Sequence, residues 1–461
     1  MQKIIAKYGL AAHLSFLTVA PLFLYLVGAM AWQANVMLGL SSLAAVWTVL
    51  SPSKLAGERL HEARARAWFG MRHDWLFWLG LGLTVVTVLT TCNSHLTFGF
   101  DWDASSWRHL GAGLAWWPRG TSGSGNAAMG VSAALTVVWM ALRHSLGRSA
   151  RRCYLQMVVA GTAVCSVFMM AGLGVGQEAR QAVVSGDYAS PSFVGLTFGL
   201  TAIGGLAAWF EALAGAPPSS RKHGFLVSMA LVAIVSWAAF SFSPGVMRFE
   251  LAALLGLGGL GCAFWPFRNH RSHGFILGAV VLSIAVLLVV SIVWGGDLLP
   301  TALGKRRECL IALAERIWKT HPVLGAGAGT FGNELKLMAS GADWAVLSPE
   351  TVGVPCAWAR LAAERGLVGG LMVAAPTVAL VLAYVRRLRE RGMAGARPSC
   401  LLLPLAFGLM LLAGQTDESC LRGDAVLVAG ALGALATRTF AKGPAVLTEG
   451  GLKLEGVNQN G

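Results

Sequence analysis

The residues best suited to chemistry concentrate in one polar segment, 295–365, which interrupts an otherwise apolar chain. It contains the adjacent arginines Arg306 and Arg307, the histidine His321 and the glutamate Glu364. Arginine supplies planar, bidentate donors for anions, histidine exchanges a proton near neutral pH, and a carboxylate acts as a base or an ion-pair partner. The sequence therefore predicts that a catalytic or binding site, where the chain has one, lies in this segment.

The first half of the segment has the pattern of an amphipathic helix. From Arg306 to Thr320, apolar residues recur at spacings of three, four and seven, which is the period of one helical face. We expect this helix to lie on or just above a membrane, with its arginines near the start. The apolar positions are Leu310, Leu313, Ala314, Ile317 and Trp318.

A glycine-rich stretch follows this helix. The sequence HPVLGAGAGTF, from His321 to Phe331, begins with a proline that stops the helix and continues with alternating small residues. It lacks the Gly-Lys-Ser/Thr ending and the preceding strand of a phosphate-binding loop. We therefore predict close backbone packing or a tight turn rather than a nucleotide site.

A second polar segment, 94–123, is rich in tryptophan and leaves two interpretations open. Its rings can form a platform that stacks on sugar rings, in which case Trp116 and Trp117 bind substrate. They can equally form an aromatic belt at a membrane interface. The tryptophans of the segment are Trp102, Trp107, Trp116 and Trp117.

The chain that positions these segments is strongly apolar. Its 461 residues are 55% hydrophobic and 13% charged, and the mean hydropathy is +0.62. A spanning helix needs about 20 apolar residues, and such stretches recur with short polar breaks between them. We predict an all-α membrane protein with about twelve transmembrane helices. The predicted spans are 11–32, 35–51, 75–93, 124–142, 154–173, 193–212, 224–242, 249–266, 274–294, 366–385, 399–414 and 424–440.

The distribution of lysine and arginine predicts the orientation. Basic residues gather in alternate loops, and such loops resist translocation, so both termini are expected in the cytoplasm. Spans one to nine then occupy 1–294, a large helical periplasmic loop occupies 295–365, spans ten to twelve occupy 366–440, and 441–461 form a cytoplasmic tail. Because the net charge of +14 lies in these loops, we expect membrane lipids as partners and no nucleic acid.

The eight cysteines do not indicate a metal site. They form no Cys-x-x-Cys pair and no Cys/His cluster at ligand spacing. Cys309 and Cys356 both fall in the predicted periplasmic loop, and Cys92 and Cys420 lie near outer span ends. A disulfide can form there in an oxidising compartment, and the sequence leaves that question open.

The order and spacing of motifs over 307–369 resemble those of the O-antigen ligase and O-antigen polymerase superfamily, which transfers lipid-linked glycans. The likeness falls in the long loop between spans nine and ten, and the predicted layout of spans matches along the whole chain. The residues that carry it are Arg307, Ile311, Ala312 and Leu313, then His321 to Phe331, then Ala363, Glu364, Gly366, Leu367 and Gly369.

The resemblance implies a glycosyltransferase of the bacterial inner membrane, acting in lipopolysaccharide or exopolysaccharide biosynthesis. Such an enzyme moves a glycan from undecaprenyl diphosphate to a hydroxyl of a glycan or lipid acceptor at the periplasmic face, without a metal or cofactor. Fixed arginines would stabilise the diphosphate leaving group. Arg307 matches the loop arginine of the family and His321 its His-Pro position, so these are the candidate catalytic residues. Arg306, Arg248 and Glu364 are candidate substrate contacts.

Two departures from the family pattern affect the chemistry. The family carries a second arginine in a Ser-Arg-Gly motif, where this chain has Ser243-Pro244-Gly245, with Arg248 one helical turn later. The catalytic histidine would fall at Pro355-Cys356, and neither residue is a ready base near neutral pH. Glu350 or Glu364 could serve as the base instead, although Glu364 could also cap or salt-bridge the entry to span ten.

Two other functions stay open at this stage. The first is a non-catalytic relative that binds lipid-linked glycan. The second is a twelve-span transporter, which should show inverted repeats and charges near the middle of the membrane. Almost every charge in this chain lies instead in a loop or at a span end.

Overall fold

The computed structural model is helical over nearly all of the chain that it describes. The lengths of these helices follow the apolar stretches of the sequence, as expected for helices stabilised by burial of their apolar faces. It describes residues 2–26, 31–50, 68, 70–92, 97–101, 106–110, 124–146, 148–171, 194–215, 230–239, 302–327, 329–347, 356–391, 406, 409–410, 413–414 and 423–440.

The helices correspond closely to the predicted spans where both can be compared. The first helix begins and ends earlier than its predicted span, 11–32, and the helix containing predicted span 366–385 is extended at both ends. The elements are α1 (Gln2–Leu26), α2 (Ala31–Leu50), α3 (Trp75–Cys92), β1 (Thr97–Asp101), β2 (Ser106–Leu110), α4 (Ser124–Met140), α5 (Arg148–Met170), α6 (Val194–Gly215), α7 (Ala302–Thr320), α8 (Phe331–Met338), α9 (Gly341–Val346), α10 (Ala357–Arg391) and α11 (Gly423–Phe440). A further helical segment covers 230–239.

Seven of these helices pack into one bundle. Helix α1 lies against α2, α5 and α11, while α4 lies against α2, α3 and α11, and α6 completes the bundle beside α5 and α11. Alanine, leucine and valine fill most of its interior, so the helices approach closely. The largest fully buried side chains of this interior include Tyr154 and Phe198.

The prediction of an α-helical chain is confirmed, whereas the described residues do not support about twelve separate spans. Among them one helix, Ala150–Met170, is long and apolar enough to cross a membrane, with a mean hydropathy of 1.7. Other apolar helical stretches, such as Gly9–Leu24 and Val131–His144, are shorter. Predicted spans 249–266 and 274–294, most of 399–414 and the tail 441–461 lie outside the described residues.

The tryptophan-rich segment contains a β-hairpin, an element that the sequence analysis did not predict. Strands β1 and β2 pair antiparallel, with Phe98 opposite His109 and Phe100 opposite Trp107. Aromatic residues at alternate positions favour strands over helix, and this period of two was the signal available in the sequence. The hairpin lies beside α8, whereas Trp116 and Trp117 lie outside the described residues.

A buried ionic cluster joins the start of α3 to the end of α4. Helix α4 continues into a π-helical turn, Ala141–Ser145, which carries Arg143 and His144. Nε2 of His144 lies 2.8 Å and Nε of Arg143 lies 3.1 Å from Oδ2 of Asp74. The other carboxylate oxygen accepts a hydrogen bond from the backbone N–H of Leu76 at 3.2 Å. Asp74 therefore caps α3 and holds it against α4.

Replacing this carboxylate should loosen the α3–α4 contact. The Asp74 side chain is 2% and the Arg143 side chain 21% exposed, so Asp74→Asn removes the anion from a largely buried arginine. We expect a loss of about 3 kcal/mol in unfolding free energy. Denaturant titration of the detergent-solubilised protein measures this, with Arg72→Gln at an exposed neighbouring position as the control. An unchanged midpoint for Asp74→Asn would contradict the assignment.

Candidate functional site

The described residues 302–327, 329–347 and 356–366 form a small helical subdomain with its own core, called here the 302–366 subdomain. The helices α7, α8, α9 and the start of α10 surround it, and α7 contacts each of the other three. The buried stripe of α7 packs on Phe331 and Leu335 of α8, on Leu347 and on Ala363. That stripe consists of Leu310, Leu313, Ala314 and Ile317.

The amphipathic helix predicted over 306–320 is confirmed, and its apolar partner is corrected. Four of the five predicted apolar positions are buried, but Trp318 remains 37% exposed. The stripe is covered by α8, α9 and α10 of the same subdomain, so it is not available to rest on a membrane. Protein side chains provide the apolar surface that the sequence pattern alone assigned to lipid.

The two sequence motifs, at 321–331 and 363–369, form a single interlocked structure. After α7 ends, the backbone N–H groups of Ala326 and Gly327 donate to the carbonyl oxygens of Ala363 and Glu364, each at 2.9 Å. In return, the N–H groups of Leu367 and Val368 donate to the carbonyls of Pro322 and Val323, at 2.9 and 3.1 Å. The glycine-rich stretch is therefore bound directly to residues 363–368 of α10, which precede the long apolar part of that helix.

Two glycines make this backbone contact possible. Gly325 and Gly366 have φ values of 74° and 59°, a region that L side chains rarely adopt. A Cβ atom on Gly366 would lie 2.5 Å from the backbone nitrogen of Gly325 and from the carbonyl oxygen of Val323. The prediction of close backbone packing is thus confirmed, and α10 breaks at Gly366.

The carboxylate of Glu364 locks the same loop from inside. Its Oε2 accepts from the backbone N–H of Gly329 at 2.9 Å, and its Oε1 accepts from the N–H of Phe331 at 3.4 Å. Nε of Arg360, one turn earlier on α10, lies 2.9 Å from Oε1. This bears out the capping and salt-bridging alternative for Glu364, because three protein donors already use its oxygens.

The loop does not present its backbone as a phosphate cradle in the part that the structure describes. The N–H of Gly325 donates to the carbonyl of His321 at 3.0 Å, and the N–H of Thr330 donates to that of Gly327 at 3.3 Å. The backbone N–H groups of 326 and 327 donate to α10, and those of 329 and 331 donate to the Glu364 carboxylate. The N–H groups of 325–327 and 329–331 are therefore all occupied by protein acceptors. A phosphate would have to be bound by side chains instead.

The candidate catalytic residues lie at opposite ends of α7. Arg306 and Arg307 lie in its first two turns, and their side chains fall outside the described residues. Arg307 precedes the last residue of the helix, Thr320, by thirteen positions, which corresponds to about 20 Å along the axis. The structure therefore does not place Arg307 next to His321. Arg248 and Glu350 lie outside the described residues.

His321 terminates α7. Its backbone N–H donates to the carbonyls of Ile317 and Trp318, at 3.2 and 3.1 Å, and its side chain is exposed. Because the following residues dock on α10, the imidazole lies at the end of α7 that faces the α10 kink. An exposed ring in this place can exchange a proton with a bound hydroxyl.

The cysteines of the subdomain are free thiols. Cys356 is buried in the same core as Ala363 and packs as a small apolar residue. Its neighbour Pro355 lies outside the described residues. The Cys309 thiol donates to Oδ1 of Asp343 at 3.7 Å. Burial and the negative charge of Asp343 raise the pKa of Cys309, which disfavours a reactive thiolate.

Asp343 organises the subdomain at α9. It accepts from the backbone N–H and hydroxyl of Ser340, each at 2.8 Å, and pairs with Arg316 of α7 at 3.1 Å. The Ser340 hydrogen bonds lower the pKa of Asp343, with a smaller contribution from Arg316.

In the described part of the chain no three His, Cys, Asp or Glu side chains cluster at metal-binding distance.

One charged residue that sequence reasoning did not single out is Arg365. Its Nη1 donates to the hydroxyl of Thr87 on α3 at 3.1 Å, which links the subdomain to the helix bundle. The available signal was its position, a cation between Glu364 and the glycine at which α10 bends.

No family model and no curated protein matches the chain.

Proposed function

We propose that this chain is an O-antigen ligase-like glycosyltransferase of the bacterial inner membrane. It transfers a glycan from undecaprenyl diphosphate to an acceptor hydroxyl at the periplasmic face, with about twelve spans and both termini in the cytoplasm. The observation that carries the proposal is the interlock of 321–331 with 363–368. The interlock joins the two sequence motifs on which the resemblance rests. It also holds α7, the helix that carries Arg306 and Arg307, against α10.

Outward-facing apolar side chains support the membrane location. They occur on α1, α5 and α10, where each is roughly half exposed. Such surfaces are unfavourable in water and favourable against lipid tails. Examples are Phe16 and Phe23 at 48%, Val164 at 55%, Phe168 at 49%, Leu371 at 57% and Leu382 at 62%.

The proposed reaction balances without a metal. The oxygen of the acceptor hydroxyl bonds to the anomeric carbon while the bond from that carbon to the diphosphate oxygen breaks, and the electron pair leaves with the diphosphate. Arg307, with Arg306 beside it, stabilises this developing charge. The hydroxyl proton passes to a base, for which the exposed imidazole of His321 is our candidate, since Glu364 and Cys356 are engaged in the fold. Because Arg307 lies about 20 Å from His321 along α7, this assignment requires the donor to lie along the helix, with its diphosphate toward Arg307 and its anomeric carbon toward His321.

Arg307→Ala tests this assignment. We expect at least a roughly 100-fold loss of transfer from a lipid-linked donor, since a fixed donor to a developing anion contributes that much. The purified protein is assayed with undecaprenyl diphosphate glycan and a hydroxyl acceptor, and membrane insertion is measured in parallel. Arg316→Ala, on the exposed side of the same helix, is the charge-matched control and should keep its activity. Full activity of Arg307→Ala would remove the main catalytic assignment.

A non-catalytic binding protein is the second candidate. Two observations favour it. Cys356, at the position where the family has its histidine, is buried in the core. Glu364, an alternative base, is already bound by three protein donors. In that case the wild-type protein binds the lipid-linked donor but shows no turnover with any acceptor. The assay of the wild-type protein therefore decides between the two.

A further inference from the structure

Arg365 lies where the 302–366 subdomain meets the helix bundle. Its side chain extends over Gly369, where an added Cβ would collide with the Cβ of Arg365. The absence of a side chain at Gly369 lets the guanidinium reach α3, where Nη1 donates to Thr87 at 3.1 Å. Thr87 is five positions before the end of α3 at Cys92, or about 8 Å along the axis.

The guanidinium has more donors than the protein uses. An arginine carries five N–H donors, and among the described residues Thr87 supplies the one acceptor within hydrogen-bond distance. The adjacent carboxylate of Glu364 is directed to Gly329, Phe331 and Arg360 instead. Arg365 is therefore a partly buried cation that makes no ion pair in the described part of the chain, and the nearby charge of Glu364 offsets its own only in part.

Such an arrangement is unfavourable unless a ligand completes it. A partly desolvated charge that lacks an anion costs free energy, so proteins usually pair it or use it at a binding site. A phosphate group matches the planar fork of arginine, accepting two parallel hydrogen bonds. In the proposed membrane arrangement, its location one to two turns from the end of an apolar helix is at the depth of a lipid headgroup.

We propose that Arg365 binds a phosphate group of a lipid ligand, and that this ligand is the polyprenyl diphosphate donor. The assignment to the donor rests on the proposed function, whereas phosphate binding itself does not. The segment 322–327 docks on 363–368, so Arg365 lies at the same end of α7 as His321. Arg307 lies at the opposite end of α7, about 20 Å away along the axis, so one diphosphate contacts either Arg365 or Arg307, and the variants of both arginines decide which.

The test measures lipid binding by the purified full-length protein in a maltoside detergent, which contains no phosphate. The probes are undecaprenyl diphosphate and phosphatidylglycerol, titrated separately into the wild type, Arg365→Gln, Arg365→Lys and Arg316→Gln. We expect Arg365→Gln to bind undecaprenyl diphosphate about 10- to 100-fold more weakly, because a charge-assisted bidentate contact is lost. Arg365→Lys keeps the charge but not the fork and should be intermediate, while Arg316→Gln should match the wild type.

Thermal unfolding without lipid separates binding from a structural role. Arg365→Gln removes an unpaired charge, so its midpoint should equal or exceed that of the wild type. A lower midpoint would overturn the proposal in favour of a structural role, whatever the lipid affinity.

Each remaining outcome is decisive. Unchanged affinity of Arg365→Gln for both lipids refutes the phosphate site, whatever the enzyme assay gives. Loss of phosphatidylglycerol binding alone keeps the phosphate site and rejects the donor as its ligand. If the wild type binds neither lipid, the phosphate site and the proposed function both fail. Binding of the diphosphate without turnover refutes only the catalytic part of the proposed function.

Discussion

Glu364→Gln should unfold the 302–366 subdomain while leaving the helix bundle intact. The carboxylate accepts the N–H groups of Gly329 and Phe331 and pairs with Arg360, and the Glu364 and Arg360 side chains are 11% and 10% exposed. A glutamine turns its NH2 group toward at least one of these donors and removes the anion from Arg360. Breaking a buried pair in this way costs about 3–5 kcal/mol, which is comparable to the stability of a subdomain of this size.

Limited proteolysis measures the effect directly. Cleavage within 321–331 should become fast in Glu364→Gln, whereas cleavage within the bundle should stay slow. The matched control is Glu315→Gln on α7, since Glu315 pairs with Lys319 at 2.8 Å but both side chains are more than half exposed. That variant should resist the protease like the wild type. Equal protection of Glu364→Gln and the wild type would show that the carboxylate does not hold the loop.

Helical periodicity made much of this subdomain predictable from sequence. A repeat of three and four defines one face of a helix independently of what covers that face, so four of the buried residues of α7 could be named in advance. Trp318 is the exception, because it lies at the edge of the stripe in the helical repeat and is 37% exposed. The periodicity does not encode the partner, which is why lipid was predicted where protein is found.

Long-range contacts explain what the sequence did not disclose. The pairing of 322–327 with 363–368 joins segments about forty residues apart through backbone hydrogen bonds, and backbone bonds leave little trace in side-chain types. Only the glycines mark it, and a glycine signals close packing without naming its neighbour. The contact between Arg365 and Thr87 crosses 278 positions, so no local pattern could have identified it.

Gly366→Ala should be the most damaging small substitution in the subdomain. The residue has φ 59° and ψ −155°, a region that is essentially restricted to glycine, so alanine is strained by about 1–3 kcal/mol before any contact is considered. Its methyl group would also lie 2.5 Å from backbone atoms of Gly325 and Val323. These backbone atoms cannot move away as the end of a flexible side chain can. The hydrogen bonds from the N–H groups of Leu367 and Val368 to the carbonyls of Pro322 and Val323 hold them in place.

The same substitution four residues later provides the control. Gly370 lies in the helical part of α10, and an added Cβ would meet nothing within 4 Å. Gly370→Ala should therefore raise stability by about 0.5–1 kcal/mol through helix propensity. Hydrogen exchange of the amides at 326, 327, 367 and 368, which form the interlock, measures both variants. These amides should exchange much faster in Gly366→Ala and no faster in Gly370→Ala. Protection of Gly366→Ala equal to that of the wild type would refute the requirement for glycine at this kink.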